Sequence, residues 1–295
     1  MKQTYLFLLC AGLFINACGD DSENSAEDMP TEEPPAEETT EPMKNEDKGE
    51  EVPDEVPVEI PVTEPTFCQD ISNAVVAYAN EASATIDEAK EGTPFSDANL
   101  AINGVRGRGL GSGSLDVFSL DKTVDGSITL SYEGGRFCDG QGADIKVFEN
   151  PFGSAAGVFF EPIIVSVSSD GESYVSFPHS FDLDSDLRIN AVERWQGFAG
   201  MQPVYFHEEN TAEMNVFSEA AGGDSFDLQD LPPGPQKDDI LKNGVRFIKL
   251  QAAQAAVNPE DQSCGETSCY FPILPGTFGG FADVDGLYGR YILRD

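Results

Sequence analysis

The sequence predicts an all-β protein: a β-sandwich of jelly-roll type with long loops, carried behind a disordered acidic stalk. Two observations predict the sandwich. Apolar residues alternate with period two in short runs, and clusters of Gly, Pro and Asp separate those runs. A third predicts the stalk: residues 19–66 hold eighteen acids against Lys44 and Lys48, with eight prolines and almost no large apolar residues. Such a segment cannot bury enough surface to offset its ordering entropy, and its charges push it open.

At the N-terminus, Lys2 supplies a positive charge and residues 5–14 an apolar stretch too short to span a bilayer as a mature helix. Ile15-Asn16-Ala17-Cys18 then reads as a bacterial lipoprotein signal, with small Ala17 before the cysteine. The competing Cys10 follows bulky Leu9, which suits cleavage poorly. The expected organisation is a signal peptide over residues 1–17, a lipid-anchored stalk from Cys18 to residue 66, and a β-sandwich over 67–295. Several acyl chains on Cys18, at ~0.8 kcal/mol per buried methylene, make such an anchor durable. Gly19 after the cysteine favours the outer membrane, with the domain exposed at the cell surface. The net charge of -36 excludes nucleic acid as a partner and suits divalent cations or neutral ligands such as glycans.

Along the globular part, residues 127–132 alternate, as do 144–148, which stop at Asn150-Pro151. The apolar run 163–168 leads through Ser169-Asp170-Gly171 to residues 174–177, a hairpin pattern, because Asp-Gly tolerates the positive φ of a tight turn. Residues 245–250 read as a half-buried strand, and Tyr291-Ile292-Leu293 closes the sheet. Helix is scarce: residues 72–90 carry alanines and acids suited to one, but Val75-Val76-Ala77-Tyr78 reads equally as an opening strand. Cys68, Cys138, Cys264 and Cys269 read as disulfides outside the cytoplasm. Cys264 and Cys269 enclose four residues, a local staple that leaves Cys68 with Cys138, although three pairings are open.

Asp182, Asp184 and Asp186, followed by Asn190 and Glu193, have the spacing of a calcium loop, because calcium takes six to eight oxygens. Leu187 stands where such a loop normally turns on glycine, so a solvated acidic loop is the alternative. Two further acidic motifs, residues 222–230 and 280–286, suit carboxylates capping turns, or a structural calcium ion. The glycines from Gly107 to Gly113 precede a strand rather than a helix, which argues for a flexible surface loop over a phosphate cradle. Trp195, Phe198, Tyr205 and Phe206 suit core packing better than a sugar-stacking platform. His179 and His207 lie beside no evident nucleophile, and no carboxylate pair is singled out for acid–base work.

Several segments occur in a characteristic order: residues 113–120, 126–130, 142–152, 165–171, 199–204, 223–230 and 245–248. The most specific is Gly142-Ala143-Asp144-Ile145-Lys146-Val147-Phe148-Glu149-Asn150-Pro151-Phe152. Together, over roughly residues 100–290, they resemble an uncharacterised family of bacterial cell-surface lipoproteins of spirochaetes and myxobacteria-like lineages. That family usually runs Gly-Phe-Asp near its end, whereas here Ala282 intervenes between Phe281 and Asp283. The resemblance implies an anchored surface protein with a sandwich similar to galactose-binding or discoidin-like domains. The expected function is non-enzymatic binding or adhesion toward a glycan or surface partner, supported by calcium. A carboxylate-dependent envelope polysaccharide hydrolase and a structural surface-coat protein are the alternatives.

Overall fold

The computed structural model describes residues 67–84, 92–121, 126–154, 157–211, 213–265, 267–274 and 282–295. The signal segment, Cys18 and the stalk lie outside the described residues, as do Gly280 and Phe281 of the last acidic motif. The chain divides into two units at Ile60 and Pro61, and every described residue belongs to the second.

Ten strands build an all-β sandwich: β1 (Val75–Tyr78), β2 (Glu81–Ala84), β3 (Ser127–Ser131), β4 (Gly135–Phe137), β5 (Ile145–Phe148), β6 (Ile163–Ser168), β7 (Val175–Ser176), β8 (Asp224–Phe226), β9 (Phe247–Ala252) and β10 (Gly286–Arg294). One sheet runs β1-β10-β5-β8, with β4 also pairing β10; the other runs β7-β6-β9-β3-β2. Every one of these pairings is antiparallel. Their inner faces share one core: Phe137, Ile145, Val147, Phe226 and Leu287 from the first sheet meet Ile128, Leu130, Val165, Val167, Ile248 and Leu250 from the second.

Period-two patterning produces β9 as expected, with alternate residues buried, and β3 in its first four positions. The hairpin also forms. Val175 pairs with Val167, and the Asp170 carboxylate accepts from the backbone N–H groups of Glu172 and Ser173, each at 2.8 Å. Residues 75–78 take the strand alternative, not the helical one.

The structure departs from the sequence expectations in three places. β5 is buried at all four positions, because a third layer of Val204, Phe206, Val216 and Ala221 covers its outer face around Phe148 and Tyr288. Residues 291–293 belong to a nine-residue strand inside the sheet, between β1 and β5. Tyr291 takes φ 59° there, where the register against β1 shifts, so β10 pairs β5 before the bulge and β4 after it. The helix α1 (Pro235–Asn243) was not anticipated, although Pro235 at its start and Gly244 just past its end mark it.

The disulfides pair Cys68 with Cys138 and Cys264 with Cys269, each with a Cα–Cα distance of 5.5 Å. The glycine run lies at the surface, exposed from Leu110 to Ser112, but is pinned at its start: a Cβ on Gly107 would lie 2.6 Å or less from Val204 and from the Phe206 carbonyl. No described helix is long and apolar enough to cross a membrane.

Candidate functional site

β5 carries three charged or polar stations, and each is buried. Asp144 precedes the strand, Lys146 lies within it, and Glu149 follows it.

Asp144 is fully buried, one oxygen accepting from the Gly140 N–H at 2.9 Å and the other from the Leu228 N–H at 2.8 Å. Burial pushes its carboxyl up to about 7 against the pull of these N–H groups, and the charges of Asp139 and Asp227 add to the rise. Asp139, Asp144 and Asp227 offer ligand oxygens within 4.8 Å of one another, the one such acidic trio among the described residues. Most of these oxygens already serve turns. Asp227 caps the turn at Leu228–Asp230 by accepting from Gln229 N, and Gln229 donates from its side chain to Asp139 at 2.6 Å. Of the trio's oxygens, Asp139 Oδ1 is the one buried without a hydrogen-bond partner. The capping role expected of the 222–230 motif is therefore present.

Lys146 forms the floor of a pocket of about 260 Å³ whose walls include Gln202, Phe217, Glu219, Gly223 and Asp224. Its Nζ donates to the Ser218 carbonyl at 2.7 Å. Burial lowers its affinity for a proton, while Asp224 and Glu219 restore part of it. Asp224 is pushed up to about 7 by burial, opposed by the Met201, Gln202 and Gly200 N–H groups and by Lys146. Gly222 and Gly223 are required here. Both have positive φ, and a Cβ would meet the Pro203 carbonyl at 1.8 Å in one case and the Phe148 ring at 2.7 Å in the other. The face of Phe217 is covered on one side by the Arg290 guanidinium, 4.3 Å from the ring centroid. Lys146, Gln202, Glu219 and Asp224 thus line one small cavity together with Phe217.

Glu149 is 2% exposed and Glu161 5%, and Glu149 accepts from the Asp283 N–H at 3.0 Å. Burial pushes the Glu149 carboxyl well above the ordinary range, and the charges of Glu161 and Asp283 push in the same direction.

The loop singled out by calcium spacing is built differently. Asp182, Asp184, Asp186 and Glu193 are exposed and Asn190 is half-buried, and these acids form no close trio. Arg194 occupies the loop instead: Nε donates to the Asp182 carbonyl and Nη1 to the Leu187 carbonyl, both at 2.9 Å, and its guanidinium lies 4.3 Å from the Phe181 ring centroid. A fixed positive charge thus sits against the loop's carbonyl oxygens at Asp182 and Leu187. Trp195, Phe198 and Phe206 are buried in cores as expected, whereas Tyr205 is exposed. Glu161 carries only a weak signal in the sequence: an acid between Phe160 and Pro162, at the head of an entirely buried strand.

Compared with protein-family models, with curated proteins and with solved structures, the chain matches none.

Proposed function

We propose that this is a lipid-anchored, non-enzymatic protein of the bacterial outer-membrane surface, whose sandwich binds glycan through the Lys146–Asp224 pocket with calcium steadying the fold around it. The pocket is the observation that carries the reading. It sets Lys146 and Gln202 as donors and Asp224 and Glu219 as acceptors beside the Phe217 ring. Mixed charge of this kind disfavours simple anions and suits hydroxyl groups, each of which donates and accepts. Its volume of about 260 Å³ lies below the range of about 300–1,000 Å³ usual for drug-sized ligands, which points to recognition of a single sugar residue. The anchor rests on the Ile15-Asn16-Ala17-Cys18 signal and the stalk on the acidic composition that follows it.

The full chain applied to a glycan array, in calcium and in chelator, tests the binding. A Lys146→Met protein is expected to lose the glycans that the wild type retains, and a wild type that binds none in either condition removes the proposal. Mass spectrometry of native protein is expected to find a diacylglyceryl thioether at Cys18; an unmodified N-terminus refutes the anchor. One observation favours the hydrolase alternative: Asp224, at about 7, lies in the range of a general acid and faces the same cavity as Glu219. Turnover of envelope polysaccharide, abolished by Asp224→Asn, would establish it.

A further inference from the structure

We propose that Tyr205 forms a second sugar subsite beside the Lys146–Asp224 pocket, so that the protein grips two neighbouring residues of a glycan chain rather than one sugar alone. The proposal rests on the pocket reading given above and extends it to the class of glycan bound. Of the aromatic residues that the sequence offers for sugar stacking, Trp195, Phe198 and Phe206 are buried, whereas Tyr205 is 44% exposed. Phe206 is drawn inward against Phe148 and Tyr288, at ring-centroid distances of 6.1 and 5.6 Å, and Tyr205 is left on the outer side.

Two glycines set the Tyr205 ring next to the pocket. Gly222 lines the pocket, and a Cβ built on it would lie 3.2 Å from Tyr205 Cδ2. On the other edge of the ring, a Cβ on Gly109 would lie 3.0 Å from Cδ1. Backbone bonds hold the arrangement. The Gly109 N–H donates to the Val204 carbonyl at 2.7 Å, and the Tyr205 N–H to the Ala221 carbonyl at 2.9 Å. Gly109 and Gly222 take φ of 67° and 68°, so both are left-handed positions without a side chain, and the ring rests against them. The glycine run thus supplies one flank of an open aromatic surface and the 222–230 motif the other. A pyranose suits it. One face of such a ring is largely C–H and packs on aromatic carbon, while its hydroxyl groups stay at the rim. The pocket of about 260 Å³ takes one sugar, and Gly222 is common to pocket and tyrosine, so the next sugar of a chain falls on Tyr205. Phe217 is less free for this role, because Arg290 already covers one of its faces.

A glycan array tests this on the full chain with glucose, N-acetylglucosamine, galactose and mannose, each alone and as linked disaccharides to hexasaccharides. Titration of the series that binds then reads the subsite. The wild type is expected to hold the oligosaccharides about two- to tenfold more tightly than their monosaccharide, the gain from one aromatic contact. Tyr205→Ala should erase that gain, whereas Tyr205→Phe, which keeps the ring, should retain it. Tyr270→Ala, at a tyrosine 45% exposed elsewhere on the surface, should also retain it. Oligosaccharides held no more tightly than the monosaccharide overturn the subsite, as does a gain that survives Tyr205→Ala. In both cases the pocket reading stands, because the monosaccharide is still bound. An array without a bound glycan, or a series that Lys146→Met binds as well as the wild type does, removes the pocket and the subsite together.

Discussion

Lys146 and Asp224 stand on neighbouring strands, one residue apart in register: Ser225 pairs with Lys146 and Asp224 with Val147. The ammonium group is buried against the Ser218 carbonyl, and Asp224 supplies the largest charge that keeps it protonated. Removing Asp224 takes that charge from the buried ammonium and leaves the N–H groups bonded to its carboxylate without an acceptor. Asp224→Ala is therefore expected to cost about 1–3 kcal/mol, chiefly from the orphaned Met201 N–H that now donates to the carboxylate at 2.9 Å. The Lys146→Met/Asp224→Ala double variant should cost less than the sum of the singles. Denaturant unfolding of the four proteins checks this, and strict additivity would refute the coupling.

Stability should fall as the pH rises. Asp144, Asp224 and Asp285 each hold a carboxyl near 7 in the fold, against an ordinary 3.8. Burial is the first cause in each case. Across that window the folded chain binds more protons than the unfolded one, so their contribution is complete below about pH 4 and is lost as pH climbs through 7. Each buried carboxyl adds a slope of up to about 1.4 kcal/mol per pH unit. Unfolding free energies in chelator between pH 5 and 8 should therefore decline, and Asp285→Asn should flatten the curve. Asp285 faces the Arg106 N–H, with Asp116 and the Arg106 side chain as its nearest charges. A profile that rises with pH would contradict this account.

The two disulfides should differ in worth. Cys68–Cys138 closes a span of 70 residues and Cys264–Cys269 one of 5. In the chain-entropy account these are worth roughly 4 and 2 kcal/mol respectively. Replacing each pair by serine and measuring unfolding should show the larger loss for Cys68–Cys138, which also fixes the approach to Asp139. Equal losses would show that loop length does not govern the effect.

Two glycines with similar φ should respond very differently to alanine. Gly200 and Gly142 lie at +81° and +76°, but a Cβ on Gly142 meets only the end of the Arg290 side chain, at 3.9 Å. Gly142→Ala should cost only the left-handed penalty of about 1–2 kcal/mol. Gly200→Ala adds a collision with the Glu161 carbonyl and should cost clearly more. Thermal melts of both variants make the comparison, and equal losses would contradict it.

The sandwich was legible because a half-buried strand writes its burial into every second residue, as β9 does with Ile248, Leu250 and Ala252. β5 shows the limit of that rule. Lys146 sits at an outward position in the alternation, and only the cover contributed by residues 204–221 turns that position into a buried floor. The calcium spacing at Asp182, Asp184 and Asp186 is visible locally, but Arg194, a residue outside the spacing rule, decides what fills the loop.

Fold class and the division into acidic segment and β-rich domain are thus properties of the sequence alone, because composition and period two act over a few residues at a time. The cysteine partners left open among three pairings, the burial of Lys146 and the meeting of Glu149 with Glu161 and Asp283 were decided only by the tertiary structure. Glu149 and Asp283 stand 134 residues apart in the chain and meet only through the ribbon that pairs Asp283 with Ser119. No local pattern encodes a contact of that separation, because its energy comes from the burial that the assembled sheets create.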